Sequence, residues 1–223
     1  MIAWGRLDYG AALERQLQLW DRRLSGLTTD TLVIVEHEPV ITLGRHAPQD
    51  DILLDRATLD ARGIAVVRSD RGGRATYHGP GQAVVYPIVG IAERGMGVKD
   101  WVAMLEGALG ETLKSYGIEG RTIRGRPGIW VGDAKIASLG LRVARGVSYH
   151  GVSINVERRA VEGFAHIVTC GVADQRVTSI IGELKTGPDH LSPSEEVSVQ
   201  ATAARFCRAL ISRLSAYEQS WKT

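Results

Sequence analysis

The sequence predicts an α+β domain, a mixed, mostly antiparallel β-sheet flanked by helices. Three long segments carry apolar residues at i, i+3, i+4 spacing, and between them lie short β-branched and aromatic runs punctuated by Gly, Pro and Asp. Two of those runs, G-I-W-V and A-K-I-A-S-L-G-L-R-V, are separated by Gly132 and Asp133 alone, a connection that makes antiparallel neighbours. With 223 residues, 44% hydrophobic and 23% charged, the whole of 1–223 suits a single domain with a sizeable core.

The first helix is expected over 8–24, where Tyr9, Leu13, Gln16, Leu17, Trp20 and Leu24 share a stripe and Asp8 stands as N-cap. Residues 31–36 (T-L-V-I-V-E) and 40–43 (V-I-T-L) read as two sheet strands joined tightly through His37, Glu38 and Pro39. A short helix over 55–62 is stopped by Gly63, a strand follows over 64–68, and another occupies 83–89. Segment 98–116 brings Trp101, Val102, Leu105, Leu109, Leu113 and Tyr116 to one side and ends at Gly117. The hairpin pair and V-S-Y-H-G-V-S-I-N-V make three further strands. Residues 184–197 read as an exposed loop, and a last helix from about 198 to 217 lines up Phe206, Leu210, Leu214 and Tyr217.

Composition narrows the function classes. The net charge of +2 is too small to suggest general nucleic-acid binding. No window approaches the ~20 apolar residues of a membrane span and the N-terminus lacks a signal-peptide pattern, so a cytoplasmic protein is expected, with Cys170 and Cys207 as free thiols. The six histidines show no H-x-x-x-H or paired C-x-x-C spacing, so no metal site is expected; His78 and His150 read as pocket-shaping, and His37, His46, His166 and His190 as packing or surface residues.

Between the runs 64–67 and 83–88 stands D-R-G-G-R-A-T-Y-H-G-P-G-Q-A-V-V-Y at 70–86. Its glycines let main chain approach a ligand, and Arg71, Arg74, Thr76, Tyr77, His78 and Gln82 supply cations and hydrogen-bonding heads. A plain glycine-rich turn explains the composition equally well. Cys170 follows a short apolar run, 166–168, where a strand should end; as a residue type it is more often buried and inert. Cys207, beside Phe206 and Leu210, reads as core filler. Lys135 starts a strand, where a lysine usually guards an edge, yet an ammonium beside a thiol would favour its thiolate. Asn155 is either a tie between loops or an ordinary strand asparagine.

The stretch from Arg71 to Tyr86 resembles R-G-G-x-x-T-Y-H-x-P-G-Q-x-x-x-Y, the signature of the octanoyltransferases of lipoate biosynthesis. The likeness continues through E-P-V-I-T-L-G at 38–44, K-I-A-S-L-G-L-R at 135–142, H-G-V-S-I-N-V at 150–156, and T-C-G at 169–171 with Thr178 and Ser179. Such a set of separated blocks is far more specific than one glycine motif. The resemblance implies the fold of the biotin/lipoate protein ligase catalytic domain. It implies a catalytic dyad of Cys170 and Lys135, although Thr169 stands where most relatives carry Pro. It also implies an acyl pocket walled by Arg71, Gly72, Gly73, Arg74, Ala75, Thr76, Tyr77 and His78, by Ser138, Leu139 and Gly140, and by Gly151, Val152 and Ser153.

The activity so implied is transfer of an octanoyl or lipoyl group from acyl carrier protein to a lysine of lipoyl domains. The acceptors would be the E2 subunits of 2-oxoacid dehydrogenases and the H protein of glycine cleavage, and no cofactor is needed. The protein would be a monomer, since it admits two protein partners in turn. An ATP-dependent lipoate or biotin protein ligase is the alternative from another reaction class; its longer glycine run is absent here and it needs no cysteine nucleophile. A non-catalytic carrier-binding module of the same fold is the third, against which the pairing of Cys170 with Lys135 argues.

Overall fold

The computed structural model describes residues 1–168, 175–184 and 197–220. Among them, seven strands form one sheet in the order β1 (Ile2–Leu7), β2 (Thr31–His37), β6 (Gln82–Ile88), β10 (Val147–Asn155), β9 (Ala134–Ala144), β8 (Arg126–Val131) and β7 (Arg121–Ile123). β1 runs parallel to β2 and every other neighbouring pair is antiparallel. A three-stranded sheet sets β3 (Val40–Leu43) between β4 (Ala65–Arg68), to which it is parallel, and β5 (Ala75–His78), to which it is antiparallel.

Because strand side chains alternate between faces, the central strands β2 and β6 serve two cores. Ala83, Val85, Ala137, Leu139, Val152 and Ile154 meet Trp101, Leu105 and Leu109 of α3 (Val98–Lys114) and Phe206, Cys207 and Leu210 of α5 (Val199–Ser220). Fully burying one such Leu or Phe contributes roughly 1.5–3 kcal/mol, so this face is the principal core. The opposite face places Val33, Val35, Val84 and Tyr86 under α1 (Tyr9–Leu24). The small sheet packs Ile41, Leu43, Ala75 and Tyr77 with Leu59 of α2 (Arg56–Ala61), Phe164 and Ile167. A one-turn helix, α4 (Ile180–Glu183), starts at Ser179, whose Oγ accepts from Gly182 N at 3.2 Å.

The expected helices and the Gly132–Asp133 hairpin are present: Asp8 Oδ1 accepts from Ala11 N at 2.9 Å, and Gly132 takes φ +54°. Several elements differ. β1 is unforeseen because its residues are mostly exposed and give no alternation; β7 is three residues long and equally silent. The strands at 31–37 and 40–43 belong to different sheets, since the chain turns a corner at Glu38 and Pro39. Four residues of the expected glycine loop are strand: Ala75–His78 pairs with β3, leaving short turns at Gly73 (φ +90°) and Gly81 (φ +85°). No strand ends at 166–168. The chain arrives there from a 3₁₀ stretch, Arg158–His166, Ile167 makes an isolated bridge to Ile52, and Val168 N donates to Asp51 O at 2.8 Å. Of the expected loop at 184–197, residues 185–196, with His190, lie outside the described residues. No helix among the described residues is long and apolar enough to cross a membrane.

Candidate active site

A cleft of about 520 Å³, open to solvent, lies between the strands β9 and β10 and the chain that runs from Arg71 into β5. Its floor follows the sheet register. Gly128, Ser138, Ser153 and Val84 are successive cross-strand partners on β8, β9, β10 and β6, and Gly140 faces Gly151 two residues further along. Ser138, Gly140, Gly151, Ser153 and Val84 line the cleft.

Lys135 enters this cleft from the start of β9, as its second residue. It is buried, 4% exposed, with Nζ 5.3 Å from the centre of the Trp130 ring. Its stem lies over Gly128, where a Cβ would stand 2.6 Å from Lys135 Cε and 2.4 Å from Ala137 O. Only glycine fits there, at φ +124°. The reading of Lys135 as an edge-guarding surface charge therefore fails. The main chain of Lys135 is held from the side opposite β8: its N–H donates to Arg176 O, and Thr178 N donates to Lys135 O, each at 2.9 Å. Residues 176–178 thus serve as a short extra strand beside β9. Cys170, Thr169 and Gly171 lie outside the described residues; Cys207 is fully buried in the α3–α5 core, where burial pushes its thiol up to about 11.

Arg71 is the fastener of the roof. Its Nε and Nη2 donate to Thr42 Oγ1 at 2.9 and 2.8 Å, Nη2 also to Thr42 O at 2.6 Å and Arg74 O at 2.8 Å, and Nη1 to Gly72 O at 2.9 Å. The same closeness explains Gly44 at the end of β3, where a Cβ would sit 2.5 Å from Gly73 O. Arg74 grips the buried carboxylate of Asp51 at 2.5 and 3.0 Å.

His78 Nδ1 faces Gln82 Oε1 at 2.6 Å, so that nitrogen carries the proton and Nε2 is an acceptor. Gln82 Nε2 donates to Asn155 Oδ1 at 2.8 Å, and Asn155 Nδ2 to Thr178 O at 2.9 Å. Asn155 is therefore a tie, linking the histidine to the strand that holds Lys135. Burial pushes His78 down to about 3 and His37 to about 4, so both are neutral near pH 7. Tyr9 stacks on His78 with ring centres 6.2 Å apart, its hydroxyl 2.9 Å from Ser69 Oγ. At the other end, His150 takes φ +55° within β10 and approaches Asp70 Oδ1 with Nε2 at 2.7 Å. Asp70 Oδ2 accepts from Tyr149 OH at 2.6 Å and Arg142 Nη1 at 2.5 Å. The His150 bond, with those of Tyr149 and Arg142, holds the Asp70 carboxyl well below the usual carboxylate range.

Most of the expected wall is assembled: Arg71, Gly73, Arg74, Ala75, Thr76, His78, Ser138, Gly140, Gly151 and Ser153 line the cleft with Lys135. Two residues of the expected wall stand outside this lining. The Tyr77 ring turns away into the small-sheet core, edge-on to Phe164 at 6.0 Å, because alternation sends it opposite to Thr76 and His78. Gly72 is outside the lining and donates its N–H to Leu141 O at 3.0 Å. Leu139 and Val152 contribute main chain only, as their side chains belong to the α3–α5 core. Tyr86, the last residue of the 71–86 signature, also lines the cleft, and so does Tyr9, which no expectation placed there. Tyr86 shares a strand face with Gln82 and Val84, a period-two signal present in the sequence; Tyr9 gives no signal beyond a hydroxyl at the start of a stripe that also carries Gln16.

The family model for the lipoyl protein ligase A/B catalytic domain matches residues 8–211. The chain belongs to this family. An octanoyltransferase of Alkaliphilus metalliredigens is 48% identical over 181 residues, 81% of this chain and 83% of that one. An octanoyltransferase of Chloroflexus aggregans is 43% identical over 203 residues, 90% of each chain. Likeness to solved structures extends the fold of the lipoyl protein ligase A/B catalytic domain further. A structure of a bi-partite lipoate protein ligase and its E2 lipoyl domain from Thermoplasma acidophilum gives a TM-score of 0.65 at 15% identity, covering 97% of this chain and 82% of that one. Biotin protein ligase from Aquifex aeolicus, in complex with biotin and ATP, gives 0.58 at 10% identity, covering 98% and 71%. The expected α+β fold with a mostly antiparallel sheet is therefore that of the lipoate and biotin protein ligase catalytic domains.

Proposed function

We propose that this chain is an octanoyltransferase of protein lipoylation, taking the acyl group from acyl carrier protein and passing it to a lysine of a lipoyl domain. Identity with octanoyltransferases over most of the chain supports the reaction class. The observation that carries the mechanism is the buried ammonium of Lys135, held in the cleft by a glycine beneath it and sewn through its main chain to Arg176 and Thr178. Those residues follow Cys170 by six and eight positions, which keeps the cysteine within chain reach of Lys135, at roughly 3.3–3.6 Å per residue.

In this reading the Cys170 thiolate attacks the thioester carbonyl of the donor, forming a new carbon–sulfur bond, and the pantetheine sulfur leaves with the proton that Lys135 carried. One thioester replaces another, so no ATP is consumed. Lys135 then takes a proton as the acceptor amine attacks the acyl-enzyme, and an amide forms with Cys170 released. Ser138 and Ser153 share one rung of the floor with Gly128, over which the Lys135 stem lies, and there their hydroxyls can meet the carbonyl. The acyl tail runs from there towards Gly140 and Gly151.

Mixing the protein with octanoyl-acyl carrier protein, without ATP, should add one octanoyl group by intact mass, located on Cys170 by peptide mapping and lost in Cys170→Ser. Acylation that requires ATP, or a label retained in Cys170→Ser, would refute the mechanism.

A further inference from the structure

Lys135 and the rim of the cleft share a sheet face with a basic hairpin that the chemistry just described does not use. β7 and β8 turn at Arg124 and Gly125, and the sequence from 121 to 126, R-T-I-R-G-R, contains three arginines and no acid. Arg121, Arg124 and Arg126 are exposed. Along β8, Arg126, Gly128 and Trp130 occupy alternate positions, hence one face. That face is the cleft's: the Lys135 stem crosses Gly128, and the Trp130 ring has Lys135 Nζ at 5.3 Å and the Arg126 guanidinium carbon at 5.9 Å. Arg176, also exposed, adds a fourth cation beside the Lys135 main chain. Among the described residues the acid the hairpin meets is Asp133, 3.7 Å from Arg121 and with its side chain 86% exposed; Gly128 N donates to Glu106 of α3, on the helix side.

We propose that the β7–β8 hairpin, through Arg124 and Arg126, is the docking rim for the carboxylate-rich surface of the protein that delivers the acyl thioester. The inference rests on the transfer reading above and adds the place where the donor sits. The thioester sulfur must come to Lys135 while the acyl tail points inward along the floor, so the body of the donor stays at the outer edge of the sheet, where the hairpin projects. Exposed guanidinium groups suit carboxylates and the phosphodiester at the base of a pantetheine arm. The acceptor lysine carries no such phosphodiester, so the surface fits the donor rather than the acceptor. Such rim charges act chiefly on encounter rate and salt dependence.

The test compares Arg124→Glu/Arg126→Glu with wild type, using octanoyl-acyl carrier protein and octanoyl N-acetylcysteamine as alternative donors. The charge reversal should raise KM for the carrier donor about tenfold or more and flatten its salt dependence, with kcat/KM for the small thioester within about twofold of wild type. Arg124→Lys/Arg126→Lys should restore most of the carrier KM, which a folding defect would not allow. Equal losses with both donors, an unchanged carrier KM, or a rise confined to the KM of the lipoyl-domain acceptor would overturn the docking site. Wild type acylated by neither donor would instead overturn the transfer reading, and the docking site with it.

Discussion

At the scale of single residues, Gly128 and Lys135 form one device. The glycine is required twice, for φ +124° and for the space that the lysine stem fills. Gly128→Ala is expected to drive the stem off its seat, because the new methyl meets Ala137 O as well as Lys135 Cε. Single-turnover acylation should fall towards the level of Lys135→Ala, and the melting temperature should drop by several degrees, the signature of a ~1–3 kcal/mol backbone strain. Acylation at the wild-type rate with an unchanged melt would show that the ammonium does not depend on that seat. The sequence pointed to Lys135 only through the resemblance, since a lysine opening a strand is usually a surface charge. Its burial comes from partners 5 residues before it, at Trp130, and about 40 after it, at Arg176 to Thr178; such distances along the chain leave no periodic trace.

At the scale of elements, β5 shows what alternation decides. Thr76 and His78 face the cleft and Tyr77 faces Phe164 and Gly163. Tyr77→Ala should therefore cost folding, roughly 3–5 kcal/mol for losing a buried aromatic, while the rate of acylation per folded molecule changes little. His78→Ala should do the reverse, slowing acylation through the lost link to Gln82 and Asn155 with a smaller effect on the denaturation midpoint. Urea titration alongside acylation kinetics separates the two, and a pair of equal stability losses would contradict the assignment. The long helices and the hairpin at Gly132 were legible because each is set by local periodicity and turn chemistry. β5 was not: A-T-Y-H is too short to alternate visibly, and it is a strand because β3 lies beside it. The same holds for the corner after His37, where two runs that read as neighbours enter separate sheets.

For the whole molecule, the buried neutral histidines make stability depend on pH in a definite sense. His37 and His78 titrate near 6.5 when unfolded but at about 4 and about 3 in the fold. Between those values the unfolded chain binds more protons than the folded one, so stability is full above pH 6.5 and declines as pH falls. Asp70 adds a loss in the same direction below its ordinary value of 3.8, because its folded carboxyl resists protonation. Thermal melts from pH 7 down to about 4.5 should show a falling midpoint, and His37→Gln should flatten part of that slope; a midpoint constant over the range would mean that the histidines are not held neutral. The cleft was recognisable in the sequence as a set of blocks, and its closing contacts required the three-dimensional arrangement of two sheets.

The floor of the cleft has a consequence for how the enzyme can change. Between the two hydroxyls and the far end it is bare polypeptide: a methyl at position 151 would strike Val85 O at 2.2 Å, and one at 140 would press on Arg71 Cδ at 3.1 Å. Whatever length of acyl chain is accepted, its preference cannot be rewritten at the floor glycines. Change falls instead to lining residues that carry side chains, among them Tyr9, Thr76 and, on the floor itself, Val84. The floor glycines are thus fixed by the backbone packed against them, and the lining side chains are what remains open to change.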